Sequence, residues 1–438
     1  MLLDWKSNPK HKPLIVKGAR QVGKTESIRL FAKQNYQHVV EINFALQKQF
    51  RTIFDNGYDV DTVIRNISFI DPTLQFVPGH TLIFFDELQD LPDCATSLKS
   101  FHINGKYDVI CSGSMMGINY SNIESNSVGY KEDYEMQSMD FEEFLWAKGY
   151  DEALIEQLYE HMLHNIPLSN SIFDAMLEAF REYMVVGGMP EVVDCFVGQN
   201  NFSNVLKLQK QLFHDYEEDI TKYASGFEKA KVLAVYRHIS IFLSKENKKF
   251  QVTKIAPSAR NREYVGAVEW LSNAGIINPC YCLSHIELPL KGNYNPKYFK
   301  IYFKDTGLLI SALDDEAQYD LRTNRNLGTY KGALYENIVG EMLSKQGYQL
   351  YFYRQENPAL EMDFFVRDAT SLIPVEVKAG NKASASLTKL TDTLRATYPD
   401  VNYGIKFCLG NIGFNGNFYT FPYFLAFLLK RFLRERNR

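Results

Sequence analysis

Short apolar runs alternate with helical stretches over the first 140 residues. Candidate strands are Leu14–Lys17, His38–Phe44, Thr81–Phe85, Tyr107–Cys111 and Tyr134–Met139, with helical patterns at Glu26–Gln34 and Thr96–His102. Such alternation predicts a parallel sheet covered by helices. From about Asp140 the periodicity is helical, over residues 141–146 and again over Ile172–Val186. Gly187-Gly188-Met189-Pro190 interrupts it, with Pro190 suited to the first turn of the next helix. Helices are expected to run on to about Leu243. Between Phe250 and Tyr302 a short helix (Lys254–Ala259), a turn, an amphipathic helix (Arg262–Ala274) and a stop at Gly275 precede strand-like Ile276–Ser284 and Tyr298–Lys304. Helix–turn–helix followed by a hairpin is the outline of a winged helix. Asp314–Thr329 is polar and reads as a linker. A last α/β segment begins near Lys331, with a helix over 332–346 and strands near 349–353, 361–366 and 373–378.

Length and charge narrow the classes. At 438 residues the chain exceeds one ordinary core, and at ~100–200 residues per domain it predicts about two to four domains. A formal net charge of -4 excludes a globally basic nucleic-acid binder, so any such contact needs a local patch. The six cysteines (Cys94, Cys111, Cys195, Cys280, Cys282, Cys408) are scattered and lack zinc-clasp spacing. They read as buried or idle thiols in a reducing cytosol. The start, MLLDWKSNPK, lacks the apolar core of a signal peptide. No apolar run reaches the ~18 residues that a spanning helix needs. The stretch Phe421–Leu429 is too short and precedes a basic tail, Lys430–Arg438. The expectation is a cytoplasmic protein without membrane contact.

The clearest chemistry lies near the start. Gly18-Ala19-Arg20-Gln21-Val22-Gly23-Lys24-Thr25 follows the phosphate-loop spacing G-x-x-x-x-G-K-[ST]. Glycines let such a loop turn its backbone N–H groups toward phosphate oxygens, Lys24 reaches the β- and γ-phosphates of ATP, and the Thr25 hydroxyl ligates Mg²⁺. An apolar strand precedes the loop and a helix follows, aiming its positive end at the same anion. Leu82–Glu87 is an apolar strand closed by two acids. Asp86 suits magnesium through its water shell, and Glu87 suits activation of the attacking water. Each acid alone would pass as a cap or turn residue; both at the end of a parallel strand, where ligands bind, point to the site. The next strand ends Cys111-Ser112-Gly113-Ser114, where either serine suits a γ-phosphate contact or a simple strand-ending turn.

Here the chain resembles a known family. GARQVGKT, LIFFDELQ, CSGSMMG and MDFEEFL, then EYMVVGGMPEVV, KIYFKDTGLL, GALYENIVGEML, EMDFFV and PVEVKAG, are similar to bacterial and archaeal AAA-type P-loop ATPases with a C-terminal domain of unknown function. The resemblance runs in order over nearly the whole chain, and the N-terminus is short against it. It implies ATP binding and hydrolysis. It also implies that Pro190, in Gly188-Met189-Pro190, packs against the adenine, although a helix-breaking turn explains the proline equally. Gly129-Tyr130 stands where such proteins often place Gly-Arg, which leaves the arginine finger unassigned.

Near the C-terminus, Glu336, Asp363, Glu376 and Lys378 have the order and spacing of the PD-(D/E)XK nuclease fold. Glu376 and Lys378 are two apart on a strand and share a face. Helix 332–346 carries a polar stripe, Asn337, Glu341, Ser344 and Lys345, while Glu336 lies off it and leans toward the protein. Carboxylates of Glu336, Asp363 and Glu376 would suit a second Mg²⁺ or Mn²⁺, with Lys378 acting on water at a phosphodiester. A salt-bridged strand edge is the rival reading. Lys248, Lys249, Lys254, Arg260 and Arg262 cluster beside the expected recognition helix and suit DNA phosphates or a merely solvated surface.

The expected class is therefore α/β. A P-loop AAA-type core (1–140) leads to a helical lid (141–245), a winged-helix-like domain (246–313), a linker (314–330) and a restriction-endonuclease-like α/β domain (331–438). Expected partners are ATP and ADP, DNA and further copies of the chain. Two functions remain open: an ATPase controlling a DNA-binding, nuclease-like half, or a slow ATP-dependent switch whose C-terminal half binds or assembles without cutting.

Overall fold

The computed structural model describes residues 1–114, 127–224, 226–243, 260, 263–313, 316–323, 328–355, 359–381 and 383–436. Two compact units divide the chain: Met1–Gln137 with Asn273–Gly275, and Ser138–Ser272 with Ile276–Arg438. Among the described residues no helix is long and apolar enough to cross a membrane.

In the first unit the elements are α1 (Leu2–Ser7), β1 (Leu14–Gly18), α2 (Lys24–Asn35), β2 (His38–Asn43), α3 (Val60–Ile70), β3 (Thr81–Asp86), α4 (Asp93–Asn104), β4 (Asp108–Ser114) and β5 (Glu132–Met136). The strands form one sheet in the order β2-β3-β4-β1-β5, and every pairing is parallel. All five strands foreseen from the apolar runs are present, within a few residues at either end. Successive side chains point to opposite faces, so the sheet sorts its apolar residues into two cores. Ile15, Val40, Ile42, Ile83, Phe85, Val109 and Cys111 pack with residues of α3 and α4 on one side. Leu14, Val16, Leu82, Phe84 and Ile110 pack with Trp5, Ile28 and Phe31 on the other. β3 is buried along its whole length, which is why its sequence is continuously apolar rather than alternating.

The second unit begins with helices: α5 (Phe141–Ala147), α6 (Glu152–Leu163), α7 (Asn170–Val186), α8 (Pro190–Gln199), α9 (Phe202–Tyr223), α10 (Gly226–Leu243) and α11 (Val265–Asn273, its last residue falling in the first unit). An Asp140–Glu143 capping box starts α5. Then come β6 (Ile277–Leu283), β7 (Tyr294–Phe303), α12 (Thr306–Ser311), α13 (Ala317–Thr323), α14 (Gly328–Lys345), β8 (Tyr351–Gln355), β9 (Leu360–Met362), β10 (Phe364–Arg367) and β11 (Leu372–Val377). The chain closes with α15 (Ala385–Thr388), β12 (Gly404–Cys408), β13 (Gly413–Phe414), β14 (Phe418–Pro422) and α16 (Leu429–Arg436). One sheet has the order β10-β11-β12-β14-β13; a second has the order β7-β6-β8-β9.

Two findings depart from the sequence reading. The β6–β7 hairpin exists, but β6 also pairs with β8 in parallel, so residues expected in a separate winged-helix domain share a sheet with the C-terminal segment. The first helix of that expected motif, Lys254–Ala259, lies outside the described residues. The basic tail forms α16, with Arg431 bonded twice to Glu156 at 2.7 Å and the Arg436 guanidinium 3.9 Å from the centre of the Tyr403 ring. Inside the polar segment 314–330, α13 forms.

Candidate functional site

The register of the parallel sheet brings the phosphate-loop and acidic-strand residues to one edge. Gly18, Asn43, Asp86 and Ser114 are the last residues of β1, β2, β3 and β4, at the carboxyl ends where ligands bind in such sheets. Gly18 pairs with Ser114 on one side and with Met136 on the other. A methyl group at Gly18 would lie 2.3 Å from the Met136 carbonyl oxygen, so only glycine fits there. The loop then takes left-handed conformations at Gln21 (φ 62°) and Gly23 (φ 88°), the latter preceding α2. Lys24 and Thr25 therefore start α2, and the loop wraps its amino end.

Asp86 is 2% exposed and receives three side-chain donors. The Thr25 hydroxyl lies 3.3 Å and 3.2 Å from its two carboxylate oxygens. Asn43 Nδ2 donates to Oδ2 at 3.0 Å, and the Ser112 hydroxyl donates to Oδ1. Lys24 Nζ donates to the carbonyl oxygens of Ala19 at 2.7 Å and Gly18 at 3.3 Å. Burial lowers the Lys24 ammonium to about 8, against the pull of Glu87 and Asp86, which raise it. Glu87 sits just beyond β3 in a left-handed conformation (φ 59°), unusual for a non-glycine residue. Its carboxylate accepts a hydrogen bond from Gln89 Nε2. Among the described residues the buried Ser114 hydroxyl has no partner, whereas Ser112 is engaged with Asp86. Asn43 and Gln89 escaped the sequence reading. The signal for Asn43 was a polar residue closing an apolar strand next to β3.

Pro190 opens α8 as expected. The Gly187-Gly188 turn before it is shaped by the second unit's own packing. The Gly188 N–H donates to Asp305 Oδ2 at 2.8 Å, and Met139 N donates to the Gly188 carbonyl at 2.7 Å. Asp305 Oδ1 accepts from Gly307 N at 2.9 Å. Next to it, Thr306 donates from its amide (2.7 Å) and hydroxyl (2.5 Å) to Glu341 Oε2. Lys345 Nζ pairs with Glu341 Oε1 at 2.7 Å, and the Tyr183 hydroxyl lies 2.8 Å from the same oxygen. The polar stripe on α14 therefore faces inward. Asn337 and Glu341 are fully buried because α12, β7 and α7 supply their partners.

The four C-terminal candidates do not form a set of metal ligands. Glu336 is buried, and its Oε1 accepts from Lys300 Nζ at 3.0 Å and from the Tyr302 hydroxyl. Lys300 is 2% exposed and also lies 3.6 Å from Glu361 Oε1. Burial alone would lower its pKa; the charges of Glu336, Asp363 and Glu361 outweigh that and raise it. Asp363, between β9 and β10, accepts at Oδ2 from the Val377 amide at 2.8 Å. Glu376 Oε1 pairs with Lys378 Nζ at 2.6 Å, while its buried Oε2 has no partner among the described residues. Glu376 and Lys378 thus share a face, as their spacing requires. Among the described residues no group of three or more His, Cys, Asp or Glu side chains is arranged to hold a metal ion. The two ammonium groups neutralise Glu336 and Glu376, so these residues fit a salt-bridged cluster and not a divalent-cation site. Lys300 went unnoticed in the sequence; its signal was a lone cation inside the apolar run Tyr298–Phe303.

Of the basic residues proposed to meet DNA, Lys248, Lys249, Lys254 and Arg262 lie outside the described residues, and Arg260 is exposed.

Comparison with known proteins agrees with the first unit's geometry. Residues 10–145 match the family model of an AAA domain. Residues 177–319 and 331–424 match two domains of unknown function, DUF8612 and DUF4143. No curated protein matches the chain. Among solved structures, the Walker-type ATPase PABY2304 of Pyrococcus abyssi is 13% identical with a TM-score of 0.43, over 71% of this chain and 93% of that one. The ORC1 protein of Aeropyrum pernix in complex with DNA is 11% identical with a TM-score of 0.29, over 74% and 89%. A single-substitution variant of RuvB from Thermotoga maritima is 13% identical with a TM-score of 0.27, over 63% and 84%. Likenesses this loose carry no argument about the chain as a whole. What the comparisons show is the likeness of residues 10–145 to an AAA domain.

Proposed function

We propose that this chain hydrolyses ATP to ADP and phosphate, and that its nucleotide state governs a C-terminal half that binds or assembles without cutting nucleic acid. The observation that carries the first part is the placing of Lys24, Thr25, Asp86 and Glu87 at one edge of the parallel sheet, with the Thr25 hydroxyl against the buried Asp86 carboxylate. An adjoining hydroxyl and carboxylate make the oxygen donor set that magnesium prefers. The residues therefore fit Mg²⁺, held by Thr25 and Asp86. When bound, that ion neutralises charge on the β- and γ-phosphates.

The chain's own groups supply the rest. Backbone N–H groups from Gly18 to Thr25 and the amino end of α2 bind the phosphate oxygens. Lys24 exchanges its two carbonyl acceptors for the β- and γ-phosphates. Glu87 orients the attacking water and takes its proton. Ser114, whose hydroxyl has no partner among the described residues, is better placed than Ser112 to meet the γ-phosphate, because Ser112 already donates to Asp86. Contact of Pro190 with the adenine belongs to this proposal on the strength of the family resemblance alone.

The non-cutting C-terminal half is supported by Lys300 and Lys378, whose ammonium groups neutralise two of the three carboxylates a nuclease metal would need. One observation favours the second reading, a metal-dependent nuclease: the orphan Oε2 of the buried Glu376. The test is incubation with supercoiled, linear and single-stranded DNA, with Mg²⁺ or Mn²⁺ and with or without ATP, beside a Glu376→Ala/Lys378→Ala control. Intact DNA with ATP turnover retained is expected. Cleavage that disappears in the control would establish the nuclease instead.

A further inference from the structure

The two acids that close β3 are held differently. Asp86 is fixed by Thr25, Asn43 and Ser112. Among the described residues one side chain, Gln89, two residues further on, donates to Glu87. The other end of that amide is engaged too: Gln89 Oε1 accepts from the Ser114 backbone N–H at 3.3 Å. Chemistry fixes which way round the amide lies. A carboxylate only accepts and a backbone N–H only donates, so the NH₂ must face Glu87 and the carbonyl must face Ser114. A primary amide can do both at once. Asparagine has the same groups on a stem one methylene shorter, and glutamate would set carboxylate against carboxylate.

From this bridge we infer that Gln89 is a positioning residue for ATP hydrolysis, aiming the Glu87 carboxylate at the attacking water and tying its position to the C-terminal end of β4. The inference rests on the reading of Glu87 as the group that takes the water proton. Two further observations support it. The Glu87 backbone is left-handed at φ 59°, a conformation that persists where surrounding structure enforces it. And the β4 end that Gln89 grips carries the buried Ser114 hydroxyl, which has no partner among the described residues, so Gln89 links that end of the strand to Glu87. Positioning of this kind acts on the chemical step and leaves nucleotide binding, which belongs to the phosphate loop, unchanged.

The test compares the full chain with its Gln89→Ala, Gln89→Glu, Glu87→Gln and Glu87→Gln/Gln89→Ala variants. Steady-state ATP turnover, Kd for ATP and the thermal midpoint are measured on each. Gln89→Ala should lower kcat about tenfold with Kd within about twofold of the parent and the thermal midpoint unchanged, since a misplaced group costs rate without costing ground-state binding. Gln89→Glu should lose at least as much. The double variant should be no slower than Glu87→Gln alone, because Gln89 has nothing left to position. A parental kcat in Gln89→Ala, with Glu87→Gln inactive, overturns the inference while leaving the role of Glu87 intact. Kd and thermal midpoint worsening in step with kcat would show a merely structural residue and also overturn it. Parental turnover in Glu87→Gln would remove the reading on which the inference rests.

Discussion

Lys300 Nζ lies 3.0 Å from Glu336 Oε1, and both side chains are only 2% exposed. A buried ion pair broken on one side leaves an uncompensated charge, which costs about 3–5 kcal/mol. Lys300→Met should therefore lower stability by that amount in urea denaturation of the full chain. Replacing both partners, Lys300→Met/Glu336→Leu, should recover most of it. A single variant as stable as the parent would show that Glu336 does not depend on Lys300.

The Gly187-Gly188 turn depends on Asp305. Asp305→Ala removes the acceptors for Gly188 N and Gly307 N, both in buried surroundings. Each unsatisfied N–H costs about 1–3 kcal/mol, so a loss of about 2–6 kcal/mol is expected from denaturant midpoints. Gly188→Ala should be worse tolerated, since the new methyl would sit 1.9 Å from the Met139 carbonyl oxygen. Folding of Gly188→Ala at parental stability would contradict this geometry.

Glu142 gives a pH-dependent test in the second unit. Burial, helped by Asp140 and Glu143 and opposed by Arg431, raises its carboxyl to about 7. The folded chain therefore binds this proton more tightly than the unfolded chain. The resulting stability is fully present below about pH 4.3, the ordinary glutamate value, and is lost as pH rises through about 7. Glu142→Gln should raise the thermal midpoint at pH 8 and leave it unchanged near pH 4. An equal increment at both pH values would rule out titration of Glu142 as the cause.

Much of the first unit could be read from the chain because its signals are local. An apolar strand, a glycine-rich loop and a helix are contiguous in sequence, and strand ends carry their acids with them. Asn43 and Gln89 were missed because their partners, Asp86, Glu87 and Ser114, become neighbours only through strand order and a short turn. The second unit was harder. Glu336, Asp363, Glu376 and Lys378 have a suggestive order, but order says nothing about a lysine arriving from another strand, and Lys300 does so from β7. The inward polar stripe of α14 misled for the same reason: Glu341 and Asn337 look solvated until Thr306, Tyr183 and Lys345 are folded against them. The motif GGMP looks like a site segment in sequence. In the fold, Asp305 and Gly188 hold each other through a hydrogen bond.

The phosphate loop makes a sharp demand on Lys24. Lys24→Ala should abolish measurable ATP binding in calorimetry while leaving the thermal midpoint without nucleotide close to the parent. Among the described residues its ammonium donates to two loop carbonyls. Parental ATP affinity in that variant would refute the assignment of the loop.

The most direct test of ATP hydrolysis at this site is phosphate release from ATP and Mg²⁺ by the parent and by Glu87→Gln. The parent should turn over, and the variant should bind ATP normally yet lose roughly 10²–10⁴-fold in kcat, as expected for removal of a general base. Parental turnover in Glu87→Gln, or no turnover in a parent that binds ATP, would contradict the assignment of Glu87 as the water-activating residue of an ATPase.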